Sequence, residues 1–209
     1  MIRTYHVLTP FNRFENLTRI LGMLAGQRKS TFEIIWHPIF NDDLRFGLHF
    51  PQRWVVPGYV PPSLPFWSCW ADAMNRYISA PGGLDPEARY CILNDDDFYE
   101  PDFFAKVDEH QGEVIVCGMK RGDQIPPGVI AERAHGTNTL EARPEFIAVG
   151  SIGAEQMITS GRIWGAYGFN NTIAADGERI VKVCGENPVE FAPEAFVWFN
   201  YLEPGRWKV

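Results

Sequence analysis

The stretch that decides the fold is residues 90–101, YCILNDDDFYEP, an apolar run that ends in three consecutive aspartates with a proline four residues beyond them. The apolar run predicts a buried strand, and the proline predicts the start of a helix. Ligands of open α/β sheets bind beyond the carboxyl ends of strands. Three adjacent carboxylates repel each other unless a cation neutralises them, and oxygen ligands suit Mg²⁺ or Mn²⁺. The sequence therefore predicts a divalent metal site at Asp95, Asp96 and Asp97; the alternative is a solvated acidic turn that caps the next helix.

Composition limits the classes of protein that need to be considered. The chain has 209 residues, of which 45% are hydrophobic, so we expect one domain over residues 1–209 with a sizeable core. The net charge of −7 argues against non-specific nucleic-acid binding, which needs a basic surface. The four cysteines show no CxxC spacing, and no signal peptide or run of about 18 apolar residues occurs. We therefore expect a cytoplasmic protein with reduced cysteines and no transmembrane segment.

The first half of the chain alternates predicted strands and helices. Residues 2–9 predict a strand, and Asn12 and Glu15 resemble a capping box that starts a helix reaching Ala25. A second strand is predicted at residues 32–39, and a long loop with five prolines at residues 44–65. Further along, we predict a helix over residues 67–78, the strand before the aspartates, a helix from Pro101 and a strand over residues 113–119. Beyond residue 120 the pattern weakens, and we expect a mixed region that completes the sheet.

Three segments together resemble the nucleotide-sugar glycosyltransferases of the GT-A fold, especially small inverting family 2-like enzymes. Residues 7–13, VLTPFNR, are similar to the first strand and nucleotide-binding turn of that family. Asn41-Asp42-Asp43 resembles its acidic turn, and residues 93–101 resemble its DxD strand end. The resemblance covers about residues 2–110 well and the remainder loosely. When the segments are aligned on Pro101, Asn94 takes the first DxD position, which is a departure from the family pattern.

The resemblance implies a three-layer α/β/α sandwich with a mixed, mainly parallel central sheet, in which residues 1–120 bind the nucleotide sugar and residues 121–209 bind the acceptor. It implies transfer of a sugar from a nucleotide-diphospho sugar, with UDP as the expected nucleotide, to a carbohydrate or other hydroxyl acceptor with inversion. It also implies a Mn²⁺ or Mg²⁺ cofactor. The implied metal ligands are Asp97 first and Asp95 second, and Asp95 and Asp96 would hold ribose hydroxyls or metal-bound waters. The implied base pocket comprises Thr9, Pro10, Phe11 and Arg13, together with Asp42 or Asp43 as acceptor of the uracil ring N–H.

An inverting transfer also needs a general base that takes the acceptor hydroxyl proton. The family keeps an acidic residue after a glycine-aromatic turn, and here Gly168-Phe169 is followed by Asp176 and Glu178. We expect Asp176 to be the base, with Glu178 second and Glu155 third. The alternative is that Asp176 only starts a helix. The QxxRW pattern of processive enzymes is absent, which disfavours a polymer synthase.

Two other functional classes remain as alternatives. A sugar-nucleotide pyrophosphorylase, which is a nucleotidyltransferase, needs a glycine-rich basic loop after the first strand, and residues 9–13 contain no glycine. A non-catalytic carbohydrate-binding protein could hold Ca²⁺ with the aspartates, but the usual all-β pattern of such modules conflicts with the predicted first helix. The sequence contains no HExxH, GxSxG, P-loop or GxGxxG motif.

Overall fold

The computed structural model describes residues 2–11, 13–41, 50–60, 71, 74–77, 79, 84–120, 142–149, 152–170 and 175–199. In this part of the chain, one sheet has the strand order β3-β2-β1-β4-β7-β6-β8-β5. The strands are β1 (Arg3–Pro10), β2 (Phe32–Asn41), β3 (Gly58–Val60), β4 (Arg89–Ile92), β5 (Phe98–Tyr99), β6 (Val114–Lys120), β7 (Met157–Ser160) and β8 (Glu190–Trp198).

Four α-helices with given bounds and three short 3₁₀ helices accompany these strands, and described residues 71 and 74–77 are also α-helical. The α-helices are α1 (Leu17–Gln27), α2 (Phe103–Asp108), α3 (Gly161–Ala166) and α4 (Ala175–Glu186). The 3₁₀ helices are Phe14–Asn16, Pro144–Phe146 and Ala154–Gln156. None of the helices in the described part of the chain is long and apolar enough to cross a membrane.

The sheet is mixed and mainly parallel, as predicted. Strand β1 pairs in parallel with β2 and β4, β2 pairs in parallel with β3, and β6 pairs in parallel with β8. Strand β7 is antiparallel to both β4 and β6, and β5 is antiparallel to β8. Because β1, β2, β4 and β6 share one direction, their carboxyl ends meet at one edge of the sheet, and the three aspartates follow β4 at that edge.

Alternate residues of the strands bury the two faces of the sheet in separate apolar layers. Tyr5, Val7 and Cys91 face α1 and α2, which contribute Ile20, Leu24, Phe103 and Phe104. On the other face, Leu8 and Ile92 pack against Met74 and Trp164, and Val114 and Val116 pack against Ile180 and Val183 of α4. Helices thus cover both faces, and the predicted three-layer α/β/α sandwich is confirmed.

The structure differs from the sequence expectation at the start of the first helix. The predicted start at Asn12 is wrong, because Phe14–Asn16 forms a 3₁₀ helix and α1 begins at Leu17. Asn12 lies outside the described residues. Asn16 does not cap α1 with its side chain; its Nδ2 donates instead to the Asp95 main-chain oxygen, 2.8 Å away. The side chain of the residue before α1 therefore makes a long-range contact to the turn that carries the aspartates.

Two further segments depart from the sequence reading. The proline-rich loop predicted at residues 44–65 contributes an edge strand, β3, which pairs with the end of β2. Strand β8 contains Pro193, which has no N–H for a ladder hydrogen bond. Its register with β6 shifts there, so that Cys117 pairs with Ala192 but Gly118 pairs with Phe196.

The helix predicted at residues 67–78 is described only at residue 71 and residues 74–77, where it is helical. The predicted division near residue 120 stays a prediction, since residues 121–141 lie outside the described residues.

The helix behind the aspartates is fastened at its end by a buried arginine. Arg89 of β4 donates to the main-chain oxygens of Val107 and His110 at 3.1 and 2.6 Å. These carbonyls lie at the end of α2 and just beyond it, and the Val107 oxygen also accepts from the His110 N–H at 3.1 Å. The contacts hold α2 against the strand that delivers the aspartates.

A histidine just beyond α2 lies between two carboxylates of β8. His110 Nδ1 is 2.8 Å from Glu190 Oε1, and His110 Nε2 is 2.5 Å from Glu194 Oε1. Burial opposes protonation of the imidazole, but the hydrogen bonds to Glu194 and Glu190 outweigh it and raise the pKa of His110. In its protonated form, the imidazole links the end of α2 to β8 through two ion pairs.

We predict that this ion triad makes the stability of the protein depend on pH. Because the pKa of His110 is higher in the folded protein, its stabilising effect is fully present below about pH 6.5 and is lost as the pH rises through the raised pKa. Urea unfolding measured between about pH 5 and about pH 9 should show this loss in the wild type and a flatter profile in His110→Gln. An unchanged profile in His110→Gln would assign the pH dependence to other groups.

Candidate functional site

The three aspartates form a buried turn at the carboxyl end of β4. The Leu93 N–H donates to the Leu8 main-chain oxygen at 2.9 Å, and the Asp97 N–H donates to that of Asn94 at 3.2 Å, which closes the turn. The exposed fractions of Asp95, Asp96 and Asp97 are only 3%, 7% and 0%. None of the three caps α2, whose N-cap residue is Asp102. The alternative of a solvated capping turn is therefore wrong, and the burial of three carboxylates needs compensation.

Arg13 supplies part of that compensation. Its guanidinium contacts Asp95 Oδ1 through Nη1 and Asp96 Oδ2 through Nη2, the second at 3.1 Å. Its main-chain N–H donates to Asp95 Oδ2 at 2.5 Å. Arg13 had been expected in the base pocket, but its guanidinium lies on the aspartates. Both oxygens of Asp95 accept from Arg13, and the predicted role of Asp95 as the second metal ligand stays a prediction.

The middle aspartate binds its proton more tightly than an exposed carboxylate does. Burial raises the pKa of Asp96 to about 6, and the neighbouring Asp95 carboxylate acts in the same direction, while Arg13 opposes both. One guanidinium shared by two carboxylates thus does not fully offset their burial. The cluster retains excess negative charge, which favours a further cation at this edge.

The third aspartate is joined to a second buried carboxylate by one amide group. Asn94 Nδ2 donates to Asp97 Oδ2 and to Glu155 Oε2, each at 3.1 Å. Glu155 is 1% exposed and lies in the 3₁₀ helix before β7. A Cβ atom at position 153 would lie 2.1 Å from Glu155 Oε1, so only glycine there leaves room for this carboxylate. The Asn94 amide therefore orients the carboxylates of Asp97 and Glu155, which come from distant parts of the chain. The family pattern has an acidic residue at this position.

The turn that carries Glu155 is also the neighbour of Asp176. Asp176 lies in the first turn of α4, as the helix-start alternative also expected, and it hydrogen bonds to the Ala154 main chain. Burial raises the pKa of Asp176, while bonds to main-chain groups of Gly177, Asp176 and Ala154 partly offset the rise. Asn94 thus links Asp97 to Glu155, and the turn that carries Glu155 contacts Asp176. Glu178 is not drawn into this cluster, because its carboxylate accepts from Asn170 Nδ2 at the surface, 2.8 Å away.

Two polar side chains that the sequence reading did not single out hold the segment before α4. Asn75 brackets the main chain of Phe169, accepting from its N–H at 2.8 Å and donating to its oxygen at 2.9 Å. Arg179 donates to the Tyr167 oxygen at 3.1 Å, and its guanidinium lies 4.5 Å from the centres of the Trp164 and Phe169 rings. Burial lowers the pKa of Arg179 to about 9, so it stays charged at neutral pH. No sequence motif marks either contact.

In the turn after β1, where the base pocket was expected, the side chains of Thr9 and Phe11 are engaged inside the protein. Thr9 Oγ1 accepts from Trp36 Nε1 at 3.0 Å, and the Phe11 ring packs 5.2 Å from Phe40 within the core. A base at this turn would therefore meet main-chain atoms and the half-buried Pro10. Asp42 and Asp43 lie outside the described residues, so the predicted uracil contact stays a prediction.

A divalent cation at this edge would need ligands from outside the described side chains. No group of three or more His, Cys, Asp or Glu in the described ranges could hold an ion by itself. Mg²⁺ commonly binds through one or two carboxylates together with substrate phosphates and waters. Asp97 offers such a carboxylate, and Asn94 fixes its orientation.

Comparison with solved structures identifies proteins that share this fold. Over 94% of this chain, the complex of S. aureus TarS 1–349 with UDP superposes with a TM-score of 0.62 and 12% identity. The complex with UDP-GlcNAc superposes with a TM-score of 0.59 and 11% identity over 94% of the chain. The alignments cover 60% and 58% of the two TarS chains, so this chain spans less than two thirds of their length.

A shorter protein shares the fold over nearly its whole length. The crystal structure of 4-diphosphocytidyl-2C-methyl-D-erythritol synthase superposes with a TM-score of 0.53 and 12% identity, covering 96% of this chain and 92% of that one. No protein-family model and no curated protein matches the chain. At these identities, the structural comparisons show a common fold.

We predict that removing the guanidinium at position 13 destabilises the protein strongly. Arg13→Ala leaves two buried carboxylates without their cation, and breaking a buried ion pair costs about 3 to 5 kcal/mol. Urea unfolding without metal measures the change. Lys29→Ala is the matched control, because Lys29 and Asp102 form an ion pair that is 45% and 60% exposed, and such pairs contribute at most about 1 kcal/mol. Equal effects of the two substitutions would contradict the role given to Arg13.

Proposed function

We propose that this chain is a metal-dependent glycosyltransferase that transfers a sugar from a UDP-linked donor to a hydroxyl acceptor with inversion. The observation that carries the proposal is the Asn94 amide, which joins Asp97 and Glu155 at the carboxyl edge of the sheet beside the turn that binds Asp176. The fold supports it, since two of the TarS structures that share the fold contain UDP and UDP-GlcNAc.

On the donor side, Asp97 would hold Mn²⁺ or Mg²⁺ against the diphosphate. When bound, the ion stabilises the negative charge that develops on the leaving nucleoside diphosphate. Asn94 keeps the Asp97 carboxylate oriented, and Arg13 reduces the repulsion that the neighbouring aspartates exert on an incoming diphosphate. The protein's part is thus to place one carboxylate correctly and to neutralise the other two.

On the acceptor side, Asp176 would accept the hydroxyl proton as the acceptor oxygen bonds to the anomeric carbon and the bond to the diphosphate breaks. Burial raises the pKa of Asp176, which brings it closer to the range in which a carboxylate is an effective base. The Ala154 main chain, one residue before Glu155, hydrogen bonds to this carboxylate and would hold it in place. Uracil recognition by Asp42 or Asp43 completes the proposal.

We predict that UDP binding depends on the metal through Asp97. Calorimetric titration with UDP should show about 100-fold tighter binding with Mn²⁺ than with EDTA, equivalent to about 2.7 kcal/mol. Asp97→Asn with Mn²⁺ should bind UDP as weakly as the wild type does in EDTA, because the amide is a poor ligand for a hard cation.

The matched control for this measurement is Asp102→Asn. Asp102 is exposed and has a φ of 63°, a backbone conformation that asparagine also tolerates. Its substitution should leave UDP binding unchanged. Equal UDP affinity of the wild type in Mn²⁺ and EDTA would remove the metal from the proposal.

We predict that Asp176→Asn lowers turnover by about 10² to 10⁴ while leaving UDP affinity unchanged, since a general base contributes a factor of that size. The measurement pairs steady-state turnover with UDP titration. Glu178→Gln is the control, because Glu178 lies on the surface with Asn170, and we expect it to retain most activity. If Glu155→Gln abolishes turnover while Asp176→Asn does not, the base is Glu155.

A nucleotidyltransferase is the second candidate, favoured by the nearly full-length superposition on 4-diphosphocytidyl-2C-methyl-D-erythritol synthase. The absence of glycine from residues 9–13 counts against it. The products distinguish the two functions, because a glycosyltransferase releases UDP from UDP-sugars and a nucleotidyltransferase releases pyrophosphate from nucleoside triphosphates. The all-β pattern expected of a carbohydrate-binding module is incompatible with the mixed α/β fold.

A further inference from the structure

The turn that bonds to Asp176 is itself closed by one buried glutamine. Gln156 is 2% exposed and ends the 3₁₀ helix Ala154–Gln156, directly before β7. Its Oε1 accepts from the Gly153 N–H at 3.1 Å, and its own N–H donates to the Gly153 oxygen at 3.1 Å. These reciprocal bonds form a capping box. The Gln156 side chain thus fixes the shape of the turn.

The same side chain fixes the position of the turn on the sheet. Gln156 Nε2 donates to the main-chain oxygen of Cys117 in β6 at 3.0 Å. The pairing of β7 with β6 ends at Met157 and Val116, so Gln156 and Cys117 would be the next pair in register. The main-chain N–H of Gln156 instead bonds within the turn. A side-chain amide therefore makes the contact to β6 at the point where the main-chain pairing stops.

The bond from this turn reaches the Asp176 carboxylate from outside its own helix. Burial raises the pKa of Asp176, and bonds to the main chain of Gly177, Asp176 itself and Ala154 oppose the rise. A carboxylate can only accept a hydrogen bond, so the Ala154 N–H is the donor. Of the three main-chain groups, those of Asp176 and Gly177 belong to α4, and that of Ala154 belongs to the turn that Gln156 closes. The Ala154 N–H therefore connects the carboxylate to the sheet.

We propose that Gln156 is a positioning residue for Asp176, because it ties the turn to β6 and so holds the Ala154 N–H against the Asp176 carboxylate. The catalytic meaning of this contact rests on the proposed function, in which Asp176 is the base. Glu155, in the same turn, accepts from Asn94, which also bonds to Asp97. One glutamine thus sets the place of the base relative to the carboxylate proposed to hold the metal.

The test is titration of the Asp176 carboxyl group, followed by carbon NMR of the labelled full chain, which needs no substrate. Gln156→Met keeps the approximate length of the side chain and removes every bond of its amide. The Asp176 signal should then titrate at a higher pH than in the wild type, because the carboxylate loses the Ala154 N–H that favours its charged form. Gln156→Asn, whose amide is one methylene too short for both partners, should shift the titration in the same direction and serves if the Met variant does not fold.

The matched control is Gln27→Met, at a second buried glutamine. Gln27 of α1 is 4% exposed, and its Oε1 accepts from the Phe104 N–H of α2 at 3.3 Å. Its substitution should lower the melting temperature as Gln156→Met does, because each removes a buried amide that bonds to main chain. The Asp176 titration should stay at its wild-type position in Gln27→Met. The comparison separates a general loss of stability from the loss of the contact to Asp176.

Turnover and UDP affinity provide the second measurement on the same variants. Gln156→Met should lower turnover by about 10- to 100-fold, since a small displacement of a catalytic group has effects of that size, and should leave UDP affinity unchanged. An unchanged Asp176 titration in Gln156→Met, or an equal shift in Gln27→Met, would overturn the proposal. A shifted titration together with wild-type turnover would support the contact and contradict the role of Asp176 as the base, so the two failures are distinguishable.

Discussion

The contact between the Arg13 guanidinium and the carboxylates of Asp95 and Asp96 is the interaction on which the candidate site depends. Three adjacent aspartates cannot be buried at a strand end without a cation, because each unpaired charge costs several kcal/mol to remove from water. Arg13 neutralises part of this charge and ties the turn after β1 to the turn after β4. The third carboxylate, Asp97, accepts from Asn94 Nδ2, which also donates to Glu155.

The division of labour among the aspartates has a chemical consequence. A guanidinium is a permanent cation that stays with the protein, whereas a divalent ion held by one carboxylate depends on its substrate for further ligands. The cluster therefore combines a structural cation at its first two members with a proposed substrate-dependent cation at the third. The short turn that carries Glu155 also hydrogen bonds to Asp176 through the Ala154 main chain.

The sequence predicted the elements whose signals are local. The apolar run before Asp95, the amphipathic helix that became α1 and the parallel strands β1 and β2 follow from periodicity and turn residues. The contacts that build the site are not local, since 82 positions separate Arg13 from Asp95 and 61 separate Asn94 from Glu155. Periodicity carries no information on such pairs. Asp176 could be placed near a site only through the glycine-aromatic turn before it, and the roles of Arg179 and Asn75 in holding that turn had no sequence signal.

Electron paramagnetic resonance of Mn²⁺ with this protein and UDP tests the central claim most directly, because it observes the ion itself rather than the binding energy. The account predicts that protein alone leaves most of the free Mn²⁺ signal, and that adding UDP removes this signal beyond what UDP does by itself. It also predicts phosphorus coupling in the bound ion's spectrum and no such species with Asp97→Asn. A bound ion with the same spectrum in Asp97→Asn, or no ternary complex in the wild type, would contradict it.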